Sequence, residues 1–409
     1  MRDPAARLEE AIGLARAISV EIADAVILPV SKIRPSTYLG QGQVENLAVS
    51  VVEHGAGLVI VDAALSPVQQ RNLETALSAK VIDRTGLILE IFGERAQTRE
   101  GTLQVELAHL SYQLSRLVRS WTHLERQRGG TGFLGGPGER QIEADRRALR
   151  DRIARIKQAL ARVSRTRRLQ RAGRKKVPYP TVALVGYTNA GKSTLFNRLT
   201  EADAMAEDML FATLDPSLRA LALPSGRKAI LSDTVGFISD LPTELVAAFR
   251  ATLEEVIEAD LILHVRDMAD PETAAQRDDV NAILGSLGIA PEAGDTRIIE
   301  VANKIDLLSE EARRQVLNGA ARNPKLVAVS ALSGEGVPQL LATVDGRITE
   351  NAKTVRLSLG EEDGEGLAWL YRHGEVLVRD EQDGRINLTV RADPAELGRF
   401  KKRFNARFT

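Results

Sequence analysis

A glycine-rich stretch at residues 186–194 constrains the fold more than any other, because Gly-Tyr-Thr-Asn-Ala-Gly-Lys-Ser-Thr matches the phosphate-binding pattern G-x-x-x-x-G-K-[ST]. The pattern requires a buried strand before it and a helix after it. The apolar run 182–185 and the helix-like segment 195–199 supply both. A chance glycine-rich turn is the alternative interpretation.

The chemistry expected of this P-loop follows from its residue types. Glycines let the backbone N–H groups wrap a phosphate closely, and the N-terminus of the following helix attracts anions. Lys192 is expected to reach the β- and γ-phosphates, and the Ser193 hydroxyl is expected to bind Mg²⁺. The predicted phosphate-binding residues are Gly186, Tyr187, Thr188, Asn189, Ala190, Gly191, Lys192, Ser193 and Thr194.

The composition is that of a globular protein with more than one domain, since 409 residues exceed the usual size of one domain and 44% of them are apolar. The absence of cysteine excludes disulfides and thiolate metal sites. No apolar run approaches the ~18–20 residues that span a bilayer, and residues 1–5 do not resemble a signal peptide. We therefore expect a cytoplasmic protein without an integral membrane segment, with peripheral membrane association as an alternative.

Residues 1–100 are expected to form a small parallel α/β domain, because strand-like and helix-like segments alternate along them. The strand-like runs are 25–30, 58–62 and 80–84, and the helix-like ones are 42–54, 66–79 and 85–93. Asp62 and Asp83 follow two of the strands, at positions compatible with catalysis. We expect them to cap helices or form turns instead.

Residues 101–176 are predicted to form an antiparallel helical hairpin, because two segments carry apolar residues at alternating spacings of four and three. The second of these helices is expected at about 141–172. The two apolar sets are Leu103, Leu107, Leu110, Leu114, Leu117, Trp121 and Leu124, and Leu149, Ile153, Ile156, Leu160 and Val163. We expect the two helices of one chain to pair with each other, so that the protein is a monomer.

The hairpin is strongly basic and its connection is rich in glycine. Residues 145–176 hold fourteen Lys or Arg against two acidic residues, and residues 129–138 hold six glycines. A solvated helix face with a flexible tip is one interpretation, and a loop that orders against RNA is the other. No DNA partner is expected. The candidate RNA-contacting residues are Arg126, Arg128, Gly130, Phe133 and Arg140.

Motifs for guanine-nucleotide hydrolysis follow the P-loop in order. In the first two, the residues expected to contact nucleotide are Phe211, Thr213, Asp233, Thr234, Val235 and Gly236. Thr213 and Asp233 are expected to hold Mg²⁺ together with Ser193, and the Gly236 N–H is expected to bind the γ-phosphate. The expected catalytic residues are Lys192, Thr213, Asp233 and Gly236.

Two further motifs are expected to select guanine. The Asp306 carboxylate, in the sequence Asn303-Lys304-Ile-Asp, can accept hydrogen bonds from guanine N1 and N2, a donor pair that adenine lacks. The backbone of Ser330-Ala331 is expected to meet guanine O6. Each motif follows a predicted strand, where ligands bind in doubly wound sheets.

Two residues bear on the mechanism of hydrolysis. Phe237 stands where many small GTPases place the glutamine that orients attacking water, and a phenyl ring cannot do so. Intrinsic hydrolysis is therefore expected to be slow, with activation by a partner or an ion. Asn189 either helps to hold K⁺, as an asparagine here does in potassium-activated GTPases, or serves the turn geometry of the loop.

Residues 350–409 are expected to form a small α+β module of β-α-β-β-α order. Segments 375–379 and 385–390 should pair as a hairpin around Asp383-Gly384, a favoured turn. The module holds no catalytic set of residues. A docking module and a structural cap are the two interpretations.

From about residue 20 to the end, the chain resembles the HflX family of GTPases, close relatives of the Obg GTPases. The motifs that carry the resemblance are Ser-Thr-Tyr-Leu-Gly at 36–40, the glycine-rich loop 129–138 with Glu-Arg-Gln after it, and segments 211–216, 233–237 and 241–249. Members of that family bind the large ribosomal subunit, with the hairpin near the peptidyl-transferase centre. They split stalled or idle ribosomes under stress, and the large subunit stimulates their hydrolysis of GTP.

The expected fold is α/β. It is a doubly wound P-loop GTPase sheet at 177–349, preceded by the small parallel domain 1–100 and the hairpin 101–176, and followed by the α+β domain 350–409. The expected function is GTP hydrolysis on the large ribosomal subunit, with GTP or GDP and Mg²⁺ bound and K⁺ as an open alternative. The rival functions are a GTP-gated ribosome-assembly or RNA-remodelling factor, and an RNA-binding module without turnover.

Overall fold

The computed structural model describes most of the chain. The described residues are 3–127, 137–174, 179–200, 211, 217–239, 250–289, 295–350, 353–360, 362–382, 384–392 and 394–404.

The N-terminal elements form a two-stranded parallel sheet flanked by helices. They are α1 Pro4–Arg16, α2 Gln41–His54, β1 Leu58–Val61, α3 Pro67–Leu77, β2 Lys80–Asp83 and α4 Arg84–Arg95. Ser66 caps α3 by accepting the Gln69 N–H at 3.2 Å, and Asp83 caps α4 by accepting the Gly86 N–H at 2.8 Å. The predicted parallel sheet and the capping role of Asp83 are confirmed, whereas helix α1 has no counterpart in the sequence prediction.

The predicted strand at residues 25–30 is wrong. These residues form no strand, and Val26 and Ile27 are about half exposed. The Pro29 carbonyl accepts a hydrogen bond from Gln43 Nε2 of α2 at 2.9 Å, and a proline offers no N–H to a neighbouring strand. The segment therefore runs along α2 instead of extending the sheet.

The hairpin consists of α5 Arg99–Gln127 and α6 Pro137–Arg174. Its described apolar contacts confirm the predicted seam, with Leu103, Leu107, Leu110 and Leu114 of α5 packed against Leu149, Ile153, Ile156 and Leu160 of α6. An ion pair of 2.5 Å between Arg152 and Glu106 also joins the two helices. The side chains of Trp121 and Leu124 lie outside the described part.

The central sheet has six strands in the order β4-β5-β3-β6-β7-β8. Its strands are β3 Thr181–Gly186, β4 Ser217–Ala222, β5 Lys228–Asp233, β6 Leu261–Asp267, β7 Ile298–Asn303 and β8 Leu326–Ala328. Its helices are α7 Lys192–Thr200, α8 Arg250–Ile257, α9 Thr273–Ser286, α10 Glu310–Arg322 and α11 Val337–Glu350. Only β4 pairs antiparallel, so the predicted doubly wound sheet is confirmed and the carboxyl ends of its parallel strands share one edge.

The C-terminal elements have the predicted β-α-β-β-α order. They are β9 Lys353–Gly360, α12 Gly364–His373, β10 Glu375–Gln382, β11 Arg385–Ala392 and α13 Pro394–Phe404. The strands form an antiparallel sheet in the order β10-β11-β9. Trp369 of α12 packs against Phe400 and Phe404 of α13, with ring centroids 5.2 and 6.3 Å away.

One hydrophobic core joins the N-terminal elements to the central sheet. Ile88 and Phe92 of α4 belong to the same buried cluster as Phe237 and Ile238, which follow β5. Phe92 also meets the Phe211 ring edge to face, with centroids 4.7 Å apart and an interplanar angle of 81°. The N-terminal elements therefore pack against Phe211 and against residues 233–239, which follow β5 and are called the switch segment below.

Candidate nucleotide-binding site

The P-loop lies between β3 and α7, and two of its glycines are required by space. Gly186 has φ +153°, and a Cβ there would lie 2.2 Å from the Val265 carbonyl oxygen of β6. Gly191 has φ +88°, and a Cβ there would lie 2.3 Å from Asn303 Nδ2. Any larger residue would push the phosphate-binding loop away from the ends of β6 and β7.

Lys192 is almost fully buried at the first turn of α7. Its Nζ donates to the Tyr187 carbonyl oxygen at 2.8 Å, which holds the ammonium inside the loop. Burial lowers the pKa of Lys192 to about 8, and the nearby Asp233 carboxylate opposes that shift. The group is therefore charged near neutral pH and gives the loop a cation for an anionic ligand.

Ser193 and Asp233 lie together as predicted for a Mg²⁺ site. The Ser193 hydroxyl donates to Asp233 Oδ2 at 2.8 Å. Hydroxyl and carboxylate oxygens are the ligands that Mg²⁺ prefers, and this ion usually keeps waters and takes substrate phosphates as further ligands. The donor set fits the ion. The third predicted ligand, Thr213, lies outside the described residues.

The segment after β5 is bonded directly to the P-loop. The Phe237 N–H donates to the Gly186 carbonyl at 3.1 Å, and the Thr188 N–H donates to the Phe237 carbonyl at 2.7 Å. Gly236, the residue before Phe237, lies so close to the loop that a Cβ there would be 2.9 Å from Thr188 Cγ2 and 3.1 Å from Lys192 Nζ. The γ-phosphate donors predicted from the sequence, Lys192 and Gly236, are thus adjacent.

The remaining predicted switch residues are buried. Thr234 donates its hydroxyl to the Leu184 carbonyl at 2.6 Å, which anchors the segment to β3. Val235, Phe237 and Phe211 lie in the core shared with the N-terminal elements. The Phe237 ring therefore has no means to polarise water, and the Phe211 ring has a packing role against α4.

Asn303 ties the P-loop to the second predicted guanine motif. Its Nδ2 donates to the Ala190 carbonyl at 2.8 Å, and its Oδ1 accepts the Ala331 N–H at 2.9 Å. The Ser330 N–H donates to the Glu335 carbonyl at 2.9 Å. The backbone donors predicted to meet guanine O6 are thus engaged within the protein in this form.

Lys304 and Asp306 complete the guanine end. Lys304 adopts a left-handed conformation with φ +63°, and its ammonium pairs with Asp267 at 2.7 Å. Asp306 lies on the following turn and is exposed, so its carboxylate is accessible to a base. The structure brings the phosphate and guanine motifs to one edge of the sheet, as the strand order requires.

Known proteins match this chain along its length. Residues 5–93 match the family described as GTP-binding GTPase N-terminal, 95–174 the GTP-binding GTPase Middle Region, 181–304 the 50S ribosome-binding GTPase, and 315–406 the HflX C-terminal domain. GTPase HflX of Magnetococcus marinus is 51% identical, over 98% of this chain and 91% of its own. GTPase HflX of Escherichia coli is 44% identical, over 94% and 89%.

The chain belongs to the HflX family of GTPases. GTP and GDP are therefore the nucleotides of the site just described. A solved GTP-binding protein from Sulfolobus solfataricus in complex with GDP is a more distant likeness, 23% identical, with a TM-score of 0.45 over 84% of this chain and 95% of that one.

Asn189 has the conformation that the turn interpretation requires. Its φ of +60° is a left-handed one that asparagine tolerates better than most residues, and its side chain is exposed. Turn geometry is therefore a sufficient reason for an asparagine at this position of an HflX-family P-loop. A role in holding K⁺ stays a prediction.

Two of the five predicted RNA contacts belong to the ends of the described hairpin helices. Arg126 and Arg140 belong to α5 and α6, and their side chains are outside the described part. Arg128, Gly130 and Phe133 lie outside the described residues altogether.

Across the described ranges, no helix is long and apolar enough to cross a membrane.

Sequence reasoning missed several residues that contact the site. Arg198 of α7 donates from Nε to the Ala331 carbonyl at 3.2 Å and from Nη2 to the Leu332 carbonyl, and so supports the guanine loop. Glu10 and Arg84 reach the P-loop and the switch segment from the N-terminal elements. No local pattern marks these residues, since their partners lie more than 130 positions away along the chain.

Proposed function

We propose that this HflX-family GTPase hydrolyses GTP while bound to the large ribosomal subunit, and that it splits or rescues stalled or idle ribosomes under stress in the cytoplasm. The match of residues 181–304 to the family described as 50S ribosome-binding GTPase carries the proposal. The same match supports Mg²⁺, held by Ser193, Asp233 and Thr213, as the ion that neutralises charge on the β- and γ-phosphates.

The charge of the hairpin supports an RNA partner. Ile153 and Ile156 of α6 are buried against α5, whereas the basic residues around them face solvent. The exposed basic residues of the described part of α6 are Arg147, Arg150, Arg152, Arg155, Lys157, Arg162 and Arg165. A continuous basic surface on a helix suits RNA phosphates and gives a salt-dependent affinity. We place the glycine-rich loop 129–138 at ribosomal RNA near the peptidyl-transferase centre.

The buried position of Phe237 supports activation by the ribosome. Efficient GTP hydrolysis needs a group that positions the attacking water, and this chain has a phenyl ring at the usual place. The missing group then comes from the large subunit or from an ion such as K⁺ at Asn189. The intrinsic rate is expected to be low for the same reason.

Sedimentation of intact ribosomes with the protein tests the proposed action. With GTP or a non-hydrolysable analogue, we expect the protein to sediment with large subunits and the intact ribosomes to separate into subunits, whereas GDP should give neither result. Replacing Arg150, Arg155 and Lys157 with Glu should abolish the binding, because it reverses the charge of the exposed face. The matched control is Lys228→Glu, at an exposed position on β5 away from the hairpin.

The gradient also separates the two candidate functions. Binding to large subunits without separation of intact ribosomes would favour a ribosome-assembly or RNA-remodelling role. No binding to either particle in any nucleotide state would contradict both.

A further inference from the structure

Thr188, the third residue of the P-loop, lies beside the two groups that are predicted to bind the γ-phosphate. A Cβ at Gly236 would be 2.9 Å from Thr188 Cγ2 and 3.1 Å from Lys192 Nζ. The same point would be 3.0 Å from Thr188 Cα. Among the described residues, apart from its neighbours along the chain, Thr188 and Lys192 thus approach Gly236 most closely.

The backbone of Thr188 is already engaged within the protein. Its N–H donates to the Phe237 carbonyl at 2.7 Å, and the preceding carbonyl, that of Tyr187, accepts from Lys192 Nζ at 2.8 Å. Phosphate oxygens accept hydrogen bonds, so the donor that Thr188 can still offer to a phosphate is its hydroxyl.

The Thr188 hydroxyl is buried without a hydrogen bond. The residue is 6% exposed, and its Oγ1 has no partner among the described residues. A buried hydroxyl without a partner destabilises a folded protein, whereas a valine of the same shape carries no polar atom. The hydroxyl therefore costs stability in the free protein, and a ligand that accepts its hydrogen bond removes that cost.

We propose that the Thr188 hydroxyl donates a hydrogen bond to the γ-phosphate of GTP and thereby favours GTP over GDP. A γ-phosphate that takes hydrogen bonds from Lys192 and from the Gly236 N–H lies beside Thr188, because the Thr188 side chain is in contact with that position. The Thr188 methyl group faces Gly236 in this form, and a rotation of about 120° about χ1 brings the hydroxyl to the same place. The inference rests on the nucleotide site of the proposed function.

This hydroxyl acts on the nucleotide state and not on the base. Backbone N–H groups of a P-loop cradle the α- and β-phosphates, which GTP and GDP share. Thr188 lies at Gly236, where the third phosphate is expected, so GDP leaves its hydroxyl without a partner. A hydrogen bond to an ionised acceptor is stronger than one between neutral groups, so its loss should clearly change the relative affinity for the two nucleotides.

Dissociation constants for GDP and for a non-hydrolysable GTP analogue, measured on the full chain with Mg²⁺ and without ribosomes, test the proposal. Thr188→Val removes the hydroxyl and keeps the branched shape. We expect the affinity for the analogue to fall about tenfold or more, as for the loss of a hydrogen bond to a charged group, and the affinity for GDP to change by less than about twofold. Thr188→Ser removes the methyl group and keeps the hydroxyl, so it should restore most of the affinity for the analogue.

Thr75→Val controls for the substitution itself. Thr75 is an exposed residue of α3, and its hydroxyl donates to the Arg71 carbonyl of the same helix at 2.9 Å. This variant should leave both dissociation constants at their wild-type values.

Denaturant unfolding of the nucleotide-free protein provides a second readout. Thr188→Val should not lower the midpoint of unfolding, because it removes a buried polar atom that has no partner among the described residues. A hydroxyl with a purely structural role would give a lower midpoint and equal losses of affinity for the two nucleotides. That combination would overturn the proposal.

Two further results would overturn the role of the hydroxyl and leave the nucleotide site standing. One is an unchanged ratio of the two dissociation constants in Thr188→Val. The other is a loss of affinity for the analogue in Thr188→Ser alone, which would assign the effect to the methyl group. If the wild type bound neither nucleotide, the assignment of the site would fail together with this inference. Because the assay contains no ribosomes, its outcome is independent of the proposed ribosomal partner.

Discussion

The two ends of the nucleotide site are held by different parts of the chain. At the guanine end, Asn303, Ala331 and Arg198 bond to one another and to the P-loop, all within the central domain. At the phosphate end, Tyr187 and Ser239 bond to Glu10 and Arg84 of the N-terminal domain. The guanine end is therefore complete within one domain, whereas the phosphate end is completed by another.

This difference separates recognition of the base from recognition of the nucleotide state. A base that is common to GTP and GDP needs no contact outside the central domain. The γ-phosphate is the group that distinguishes the two nucleotides, and its predicted donor Gly236 lies three residues before Ser239, which Arg84 of the N-terminal domain contacts. Changes at the guanine end should thus affect both nucleotides equally, whereas changes at Gly236, whose N–H is expected to bind the γ-phosphate, should not.

The largest effect is expected for Lys192→Ala at the phosphate end. Loss of the buried ammonium removes the cation that stabilises charge on the transferred phosphoryl group, so kcat/KM for GTP should fall by about 10³-fold or more. Steady-state phosphate release measures it. Lys228→Ala, at an exposed lysine of β5, is the control and should keep the wild-type rate. Full activity in Lys192→Ala would show that phosphate binds elsewhere.

Asn303→Ala should break the connection between the P-loop and the guanine loop. It leaves the buried Ala190 carbonyl and Ala331 N–H without their partner, and each such group costs about 1–3 kcal/mol, so the free energy of unfolding should fall by about 3 kcal/mol. Denaturant unfolding measures this, and Asn323→Ala on the exposed end of α10 is the control. The affinities for GDP and a GTP analogue should fall by the same factor. Unequal losses would contradict the division between the two ends.

Asp306→Asn tests guanine selection. The amide keeps one acceptor but places a donor opposite the guanine amino group, so affinity for GTP and GDP should fall about thirtyfold each, while xanthine nucleotides, which carry an acceptor there, should gain affinity. Competition binding with GTP, GDP and a xanthine nucleotide checks this. Asp278→Asn, an exposed carboxylate of α9, should change nothing. A variant that kept its preference for guanine would show that another residue selects the base.

The smallest effect is expected from pH. Burial lowers the pKa of Lys192 to about 8 in the free protein, and bound phosphates favour the charged form. Below pH 8 the ammonium is already present, so its titration does not change the affinity. Above pH 8 binding must take up a proton, so GDP affinity should fall by up to about tenfold per pH unit. Calorimetry at pH 9 in buffers of different ionisation enthalpy should detect that proton uptake, and its absence would contradict the depressed pKa.

Much of this architecture was predictable because short motifs carry it. The P-loop, the sequence Asp233-Thr-Val-Gly and the sequence Asn303-Lys-Ile-Asp each follow a buried strand, and the parallel order of those strands brings them to one edge. The hairpin seam was predictable for a similar reason. Apolar residues repeat every three or four positions along each helix, so they lie on one face, and the two faces pack together.

The contacts that join domains were not predictable in this way. Arg84 and Glu10 belong to unremarkable helices, and only the folded chain brings them to Ser239. The strand prediction at residues 25–30 failed because it rested on apolar content alone. That content does not reveal that the Pro29 carbonyl accepts a hydrogen bond from Gln43 of α2. Partners that are far apart in the sequence can be identified only from the three-dimensional structure.

Multiple-turnover GTP hydrolysis with and without purified large ribosomal subunits tests the central claim most directly. It should compare the wild type with a variant in which residues 129–138 are replaced by a short turn. We expect a low intrinsic rate in both proteins, because Phe237 supplies no group to position water. Strong stimulation by large subunits is expected in the wild type alone, because we propose that the loop engages ribosomal RNA. A wild-type rate that large subunits leave unchanged would contradict the account and give this GTPase a different activator.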